Sequence, residues 1–155
     1  MSEIEECDSI NRLLIKAKKK SLSHQYPKCL DSRHCAFIVS GGRIIAVGYN
    51  KLSNQELRFA ETAVSRRPKT CEHAELQAIM SIRKKIDLTN TKMFVVRVNR
   101  AQEFSMSRPC KHCAEAIPKY GIRTVYYSIS DSEYGVWNVK KQFERQFKQT
   151  VRQKH

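Results

Sequence analysis

The residues that decide the fold are HAE at positions 73–75 and PCKHC at positions 109–113 of this 155-residue chain. Each stretch opens an apolar-patterned helix, and the residues between them suffice for the rest of one helix, a strand and two loops. The two helix starts can therefore lie side by side. Thiolate and neutral imidazole bind zinc well, and a catalytic site has three protein ligands and an open fourth position. His73, Cys110 and Cys113 match that ligand set, and the two cysteines share one helix face.

Glu75 lies two residues after the histidine, too close in sequence for a comfortable fourth ligand but close enough to reach a water on the metal. The natural role of such a carboxylate is to take a proton from that water and deliver it to a leaving group. Three alternatives remain open. Cys71 could complete a closed structural site, the CxxC pair could be a redox pair, and His112 could replace a cysteine, although it points about 200° around the helix from Cys110.

The two halves together resemble the H-x-E…P-C-x-x-C signature of the zinc-dependent cytidine and deoxycytidylate deaminase superfamily, near its deoxycytidylate and nucleic-acid cytosine deaminase branches. The resemblance implies hydrolysis of an amidine C–N bond: activated water attacks the ring carbon that bears the exocyclic amine, Glu75 carries protons, and ammonia leaves. It implies Zn²⁺ as the cofactor. It also implies that the Ala74 backbone and the loop containing Ser107 and Pro109 hold the base.

The resemblance also suggests two further residues that contact the substrate. Asn50 follows the second strand, where an asparagine of the family contacts the sugar; a turn residue without that role is the alternative. Tyr126 aligns roughly with the aromatic residue that flanks the target base in single-strand cytosine deaminases, and stacking holds an unpaired base well. Because neighbouring strand residues point to opposite faces, only one of Tyr126 and Tyr127 can line the pocket. A tyrosine buried against a helix is the alternative.

Apolar periodicity predicts the order helix, hairpin, helix, strand, helix, strand. Gly41-Gly42 joins the two hairpin strands, and Pro118 together with Gly121 should make the second zinc helix short and bent. This order predicts a single α/β domain over residues 1–155, with the three-layer α/β/α fold of cytidine deaminases and a mixed sheet of about five strands. The predicted helices cover 9–20, 73–85 and 110–120, and the predicted strands cover 36–40, 44–49, 92–99 and 122–128.

The C-terminal part departs from the pattern of some relatives. Residues 134–139 follow a short turn, so we expect a fifth strand that pairs antiparallel with 122–128. Relatives that act on polynucleotides or on deoxycytidylate usually have a helix between these strands and a parallel pairing. Apolar residues then recur every four positions from Val139 to Val151, which predicts a basic amphipathic C-terminal helix over about 138–154.

The formal net charge is +14, and it is unevenly distributed. Residues 1–9 carry four acidic and no basic side chains, whereas residues 12–20 carry five basic and no acidic ones. Such an excess attracts polyanions and makes their binding salt-dependent, although a basic surface without any partner is the plain alternative. The candidates for contact with a phosphate or a nucleic acid are Arg58, Arg66, Arg67 and Arg108.

Membrane and secretory signals are absent from the sequence. No apolar run approaches the ~20 residues of a membrane span, and the N-terminal residues are acidic where a secretory signal would be basic and then apolar. We therefore expect no membrane partner and an intracellular, cytoplasmic location that leaves nuclear access open. In that compartment we expect those of the six cysteines that bind no metal to stay reduced, with a bridge between Cys29 and Cys35 as the alternative.

Four functions fit these observations. The leading hypothesis is a deaminase that converts cytosine to uracil in single-stranded DNA or RNA, favoured by the charge and by Tyr126. The second is a free-nucleotide enzyme acting on cytidine or deoxycytidylate, favoured by the GYN strand end and the compact size. A tRNA adenosine deaminase shares the signature, and a zinc-stabilised nucleic-acid binder without turnover is the non-enzyme alternative. The resemblance further implies a homo-oligomer, unless the C-terminal helix covers that surface.

Overall fold

The structure is a computed structural model that describes residues 3–26, 32–52, 71–82, 87–139 and 150–153. We number the elements within these residues in chain order. The helices are α1 (Glu3–Ser23), α2 (Ala74–Met80) and α3 (Lys111–Ala116), which continues as a 3-10 turn over Ile117–Tyr120. The strands are β1 (Arg33–Ser40), β2 (Arg43–Tyr49), β3 (Lys51–Leu52), β4 (Cys71–Glu72), β5 (Lys92–Val98), β6 (Phe104–Ser105), β7 (Thr124–Ser128), β8 (Glu133–Asn138) and β9 (Thr150–Gln153).

Within these ranges the central feature is one seven-stranded sheet, with strand order β2-β1-β5-β7-β8-β9 and with β6 paired to β5. Strands β5 and β7 are parallel, and the other paired neighbours are antiparallel. The parallel pair exists because α3 crosses between its strands, whereas short turns join β1 to β2 and β7 to β8. All five predicted strands are present, including the antiparallel pairing of β8 with β7; the short strands β6 and β9 were not predicted.

Side-chain alternation gives the sheet two apolar faces. On one face, Phe37 and Phe94 lie with Leu14 of α1 in a buried cluster. On the other face, Ile38 lies with Ala78 of α2 in a second buried cluster, which also includes residues of α3. The predicted three-layer α/β/α fold with helices on both faces of a mixed sheet is therefore confirmed.

Helix α2 approaches the sheet most closely at Gly48 of β2. A Cβ atom at this position would lie 2.2 Å from the Ala78 backbone nitrogen and 2.3 Å from the Ala74 carbonyl oxygen. Only a residue without a side chain permits that distance, so the glycine fixes how near the start of α2 lies to the sheet. The residue preceding α2 is His73, and its place depends on the same contact.

The helices differ in length from the predicted ones. Helix α1 begins at Glu3 and ends at Ser23, beyond both ends of the predicted 9–20, because acidic residues in its first turn are favoured by the helix dipole. Helix α2 ends at Met80, and part of its predicted range of 73–85 lies outside the described residues. In the part of the chain that the structure covers, no helix is long and apolar enough to cross a membrane.

The short second zinc helix is confirmed. Helix α3 ends at Ala116 and tightens into a 3-10 turn that contains Pro118, whose ring cannot continue an α-helix. Gly121 then adopts the left-handed conformation, with φ of 85°, and closes the helix end.

The predicted C-terminal helix over about 138–154 is wrong at both of its ends. Asn138 is the last residue of β8, and Thr150–Gln153 forms β9, in which Thr150 pairs with Val136. Residues 140–149 lie outside the described residues. The apolar repeat is ambiguous at these ends because a spacing of four residues returns to one face of a strand as well as of a helix.

We predict that Gly48→Ala lowers the free energy of unfolding by about 3 kcal/mol, since the new methyl group would overlap the backbone of α2. Chemical denaturation of the purified variant measures the loss. Gly41→Asn is the control: a Cβ atom at this turn residue would meet no other atom within 4 Å, and asparagine tolerates its φ of 55°. Equal stability of Gly48→Ala and the wild type would contradict the close contact described above.

Candidate metal centre and active site

Three side chains from two helix starts converge on one point. His73 and Cys110 are the residues immediately before α2 and α3, both with extended backbone, and Cys113 lies in the first turn of α3. The Nδ1 atom of His73 lies 3.3 Å from the Cys110 sulfur and 3.2 Å from the Cys113 sulfur. The three ligand atoms all lie within 4.8 Å of one another.

This geometry fits a zinc ion. Tetrahedral zinc, with ~2.3 Å bonds to sulfur and ~2.0 Å bonds to nitrogen, separates a sulfur and a nitrogen ligand by about 3.5 Å. Both sulfur–nitrogen distances lie close to that value, and the donor set of one imidazole and two thiols is one that zinc prefers. Three protein ligands leave a fourth position for water or substrate, as catalytic sites do.

Burial acts differently on the imidazole and on the thiol of the cluster. Desolvation lowers the pKa of His73, and the neighbouring His112 adds to the effect, so the imidazole is neutral near pH 7 and has a free lone pair. Desolvation raises the pKa of the Cys113 thiol, and the negative charge of Glu75 raises it further. A bound cation reverses this preference and stabilises the thiolate, so metal binding would release protons from the site.

Glu75 is almost completely buried, with 4% of its surface exposed, in the first turn of α2. Burial raises the pKa of its carboxyl group to about 7, and a hydrogen bond with the Cys113 side chain works in the opposite direction. A carboxyl group with a pKa near 7 can both accept and donate a proton at neutral pH. The arrangement therefore combines a cluster that could hold a metal ion with an adjacent buried acid that could carry a proton.

The sequence left His112 and Cys71 as alternative metal ligands. His112 is exposed on α3. It does not belong to the cluster of possible metal ligands, which among the described residues consists of His73, Cys110 and Cys113. The side chain of Cys71 lies outside what the structure describes. Cys35 is buried and free, as expected for a reduced cysteine.

Asn50 holds the strand ends that border the cluster. Its Oδ1 atom accepts a hydrogen bond from the His34 backbone nitrogen, and its Nδ2 atom donates one to the Ser32 carbonyl oxygen, both at 2.8 Å. Asn50 is 3% exposed, and the Tyr26 hydroxyl donates to the carbonyl oxygen of the same residue, His34. The side chain therefore has a structural role, and its contact with a sugar stays a prediction.

Ser107 anchors the loop that precedes Cys110. Its hydroxyl donates to the Val95 carbonyl oxygen at 2.8 Å and accepts hydrogen bonds from the Ser128 backbone nitrogen at 2.8 Å and the Ser128 hydroxyl at 2.9 Å. The Ser107 backbone nitrogen also donates to the Ser128 carbonyl oxygen, at 2.9 Å. The loop is thus tied to the middle of β5 and to the end of β7, which positions Cys110 relative to the sheet.

The remaining candidates are placed as follows. Ala74 and Pro109 are buried immediately next to His73 and Cys110. Tyr126 lies on the opposite face of the sheet, in the cluster with α1, where its ring stacks on Phe94 at a centroid distance of 4.9 Å. The structure therefore does not bring Tyr126 to the metal-binding cluster. Arg108 is exposed beside Pro109, and the other predicted phosphate contacts lie outside the described residues: Arg58, Arg66 and Arg67.

Sequence reasoning missed two polar residues on the face of the sheet that packs against α2 and α3. His34 and Arg97 are direct cross-strand neighbours on β1 and β5. Burial lowers the pKa of His34 to about 4, and the positive charges of Arg97 and His73 add to the effect. The available signal was a charged or titratable residue inside an otherwise apolar strand, since both strands are mostly buried.

The three-layer fold, the His-Cys-Cys cluster and the buried glutamate define a zinc-dependent deaminase of the superfamily that the motif resembles. The family described as "Cytidine and deoxycytidylate deaminase zinc-binding region" matches residues 8–129, which is most of the chain. The protein belongs to this family of zinc-binding hydrolases, which act on C–N bonds.

Solved structures of known deaminases have the same fold. Cytidine deaminase from Burkholderia pseudomallei superposes with a TM-score of 0.62 at 17% identity, covering 88% of this chain and 98% of that one. The dCMP deaminase of cyanophage S-TIM5 gives 0.54 at 18% identity, covering 82% and 84%. Cytidine deaminase from Mycobacterium leprae gives 0.53 at 14% identity, covering 85% and 94%. A search of curated protein sequences found no match.

We predict that His73→Ala lowers the zinc content from about one ion per chain to near zero, because two thiolates alone rarely hold zinc in a catalytic site. Elemental analysis of the purified protein after dialysis gives the ratio. His112→Ala is the matched control, since it removes an exposed imidazole from the same region, and it should keep its zinc. If His112→Ala loses its zinc and His73→Ala keeps it, the histidine ligand is His112 and not His73.

Proposed function

We propose that this protein catalyses the hydrolytic deamination of a cytosine base to uracil, with His73, Cys110 and Cys113 as zinc ligands and Glu75 as the proton carrier. The observation that carries the proposal is the buried carboxyl group of Glu75 beside the metal-binding cluster. A structural zinc site needs no such acid, because a closed site has no water to activate. A zinc-stabilised binder without turnover would leave this buried carboxyl group unexplained.

When bound, Zn²⁺ supplies Lewis-acid activation of a water molecule. Glu75 accepts a proton from the attacking water as the new C–O bond forms at C4 of the ring. It then donates that proton to the exocyclic amine, which leaves as ammonia, so cytosine and water yield uracil and ammonia. Ala74 and Pro109, buried on either side of the cluster, are the residues we assign to holding the base.

The substrate that we propose is a free cytosine nucleoside or nucleotide. The placement of Tyr126 supports this choice over a polynucleotide, whereas the antiparallel pairing of β8 with β7 departs from relatives that act on polynucleotides and from those that act on deoxycytidylate alike. The ring of Tyr126, the aromatic residue expected to stack on an unpaired base, packs on the far face of the sheet. The solved relatives named above are cytidine and dCMP deaminases, and the cyanophage enzyme has also been solved in complex with dCMP and dUMP.

Single-stranded DNA or RNA is the second candidate substrate, and surface charge favours it. The net charge is +14, and α1 exposes Arg12, Lys16 and Lys19 on its outer side. A basic surface of this kind attracts polyanions regardless of their sequence. Because α1 covers the sheet face opposite the metal-binding cluster, a strand bound there would lie away from the reacting base.

We predict that Glu75→Gln keeps its zinc but lowers kcat for cytidine or dCMP by at least about 10²-fold, because the amide can neither accept nor deliver the proton. Ammonia release and ultraviolet absorbance of the base measure turnover. Glu115→Gln is the control, since it removes an exposed carboxylate from α3, and its kcat should equal that of the wild type. Full activity of Glu75→Gln would overturn its assignment as proton carrier.

We further predict that the wild type deaminates cytidine or dCMP at a rate that varies little between low and moderate salt. A polynucleotide substrate would instead lose affinity steeply, because each neutralised phosphate releases counterions. The measurement compares cytidine, dCMP, a cytosine-containing single-stranded oligonucleotide and an adenosine-containing stem-loop, each at two salt concentrations. Turnover confined to the oligonucleotide would establish the polynucleotide reading, and inosine formation in the stem-loop would establish adenine as the base.

A further inference from the structure

A row of three polar side chains crosses three strands beside the metal-binding cluster. His34 of β1 pairs directly with Arg97 of β5, and Arg97 pairs directly with Ser105 of β6. Directly opposed residues of antiparallel strands project to the same side of a sheet. We call these three residues the polar row.

The polar row lies on the face that carries the metal-binding cluster. Ala36 and Val95, each two residues from a member of the row, belong to the buried cluster that includes α2 and α3. Phe104, the neighbour of Ser105, belongs to the cluster on the opposite face, so alternation sends Ser105 to the same side as the others. Protonation of His73 would lower the pKa of His34 further, which agrees with the row and the metal-binding cluster sharing this face of the sheet.

Two members of the polar row carry buried atoms that lack a partner. Among the described residues, the Nε atom of Arg97 and the Oγ atom of Ser105 are buried and make no hydrogen bond. Leaving such a group unpaired costs about 1–3 kcal/mol, so a buried donor without a partner calls for a water, an ion or a ligand as explanation. No described carboxylate pairs with Arg97 either, so its positive charge is not neutralised from within these residues.

The position of His34 is fixed independently of its ring. The Asn50 side chain accepts from its backbone nitrogen, and the Tyr26 hydroxyl donates to its carbonyl oxygen. Because burial holds its pKa near 4, the imidazole is neutral at physiological pH. The polar row therefore offers one permanent positive charge, from Arg97, flanked by two neutral groups that can donate hydrogen bonds.

We propose that His34, Arg97 and Ser105 form a subsite that binds the phosphate group of a nucleotide substrate. This inference rests on the proposed function and narrows it, because it selects a nucleotide over a nucleoside. A guanidinium group presents a planar fork of donors that matches phosphate oxygens, and hydroxyl and imidazole donors can bind the remaining oxygens. Of the groups in a cytosine nucleotide, the phosphate is the one that carries negative charge.

The burial of the row favours a terminal phosphate over a phosphodiester within a strand. A polynucleotide continues on both sides of each phosphate and needs an open groove that follows its backbone. The inner atoms of the polar row are instead enclosed, at Arg97 Nε and Ser105 Oγ. Such a site suits a group that ends a molecule.

The test is the affinity of the zinc-loaded full chain for dUMP and for deoxyuridine, measured by calorimetry. Both are products of the proposed reaction, so binding is measured without turnover. We expect the wild type to bind dUMP roughly 10- to 100-fold more tightly than deoxyuridine, the range expected for hydrogen bonds to a charged group. A ratio near one in the wild type would overturn the subsite.

Variants then assign the effect to the row. Arg97→Gln should reduce the ratio to below about threefold, and Arg97→Lys should retain part of it, because lysine binds phosphate as a point charge. A purely structural role of Arg97 would weaken both ligands alike and leave the ratio unchanged. Arg43→Gln is the matched control: it removes the same charge from an exposed residue at the hairpin end of β2, and the ratio should persist.

Ser105→Ala is the second variant, in case Arg97→Gln does not fold. Because the Ser105 hydroxyl has no partner among the described residues, its removal sacrifices no hydrogen bond with them. It should lower the dUMP to deoxyuridine ratio by about threefold or more, as loss of one donor to a charged group does. An unchanged ratio in both foldable variants would overturn the assignment of the phosphate to this row.

The remaining outcomes separate this inference from the proposed function. If cytidine and dCMP are deaminated with equal efficiency, and Arg97→Gln changes neither efficiency, the subsite is overturned while the function stands. The protein could instead bind dUMP more tightly than deoxyuridine, in a way that depends on Arg97, and deaminate no cytosine compound. That result would overturn the proposed function while the subsite stands. If Arg97→Gln weakens the binding of a single-stranded oligonucleotide more than the binding of dUMP, the choice of a terminal phosphate is overturned.

Discussion

The structure depends on bringing two helix starts to a single point. One imidazole and two thiols, drawn from residues far apart in the chain, must lie within 4.8 Å of one another. The backbone contact at Gly48 sets the distance of α2 from the sheet, and the hydroxyl pair of Ser107 and Ser128 fixes the loop before α3 to the strand ends. The positions of the three side chains that could hold an ion therefore depend on contacts made outside the cluster.

The chemistry of the site follows from burial. Desolvation lowers the pKa of His73 and raises the pKa of Glu75, so one environment favours the neutral form of both side chains. The residues that border this environment are polar without being exposed: Asn50, His34 and Arg97 mark the strand ends. Arg97 gives this part of the sheet a permanent positive charge.

Local patterns in the sequence predicted most of the fold and the whole metal-binding cluster. Ligand spacing, the Gly41-Gly42 hairpin and the Pro118 bend are each set within a few residues, so they are visible without tertiary information. What could not be predicted depends on pairing between distant strands. The face on which Tyr126 lies and the alignment of His34 with Arg97 are set by sheet register, and the identity of β9 was hidden by a spacing common to helix and strand.

Strand β9 also determines how the sheet ends. Without it, the six residues of β8 would present a row of unpaired backbone groups, the kind of border to which other chains add. The four residues of β9 replace that border with a shorter one carrying an exposed arginine, Arg152. Edge-to-edge addition of another molecule is thereby discouraged on this side of the described sheet.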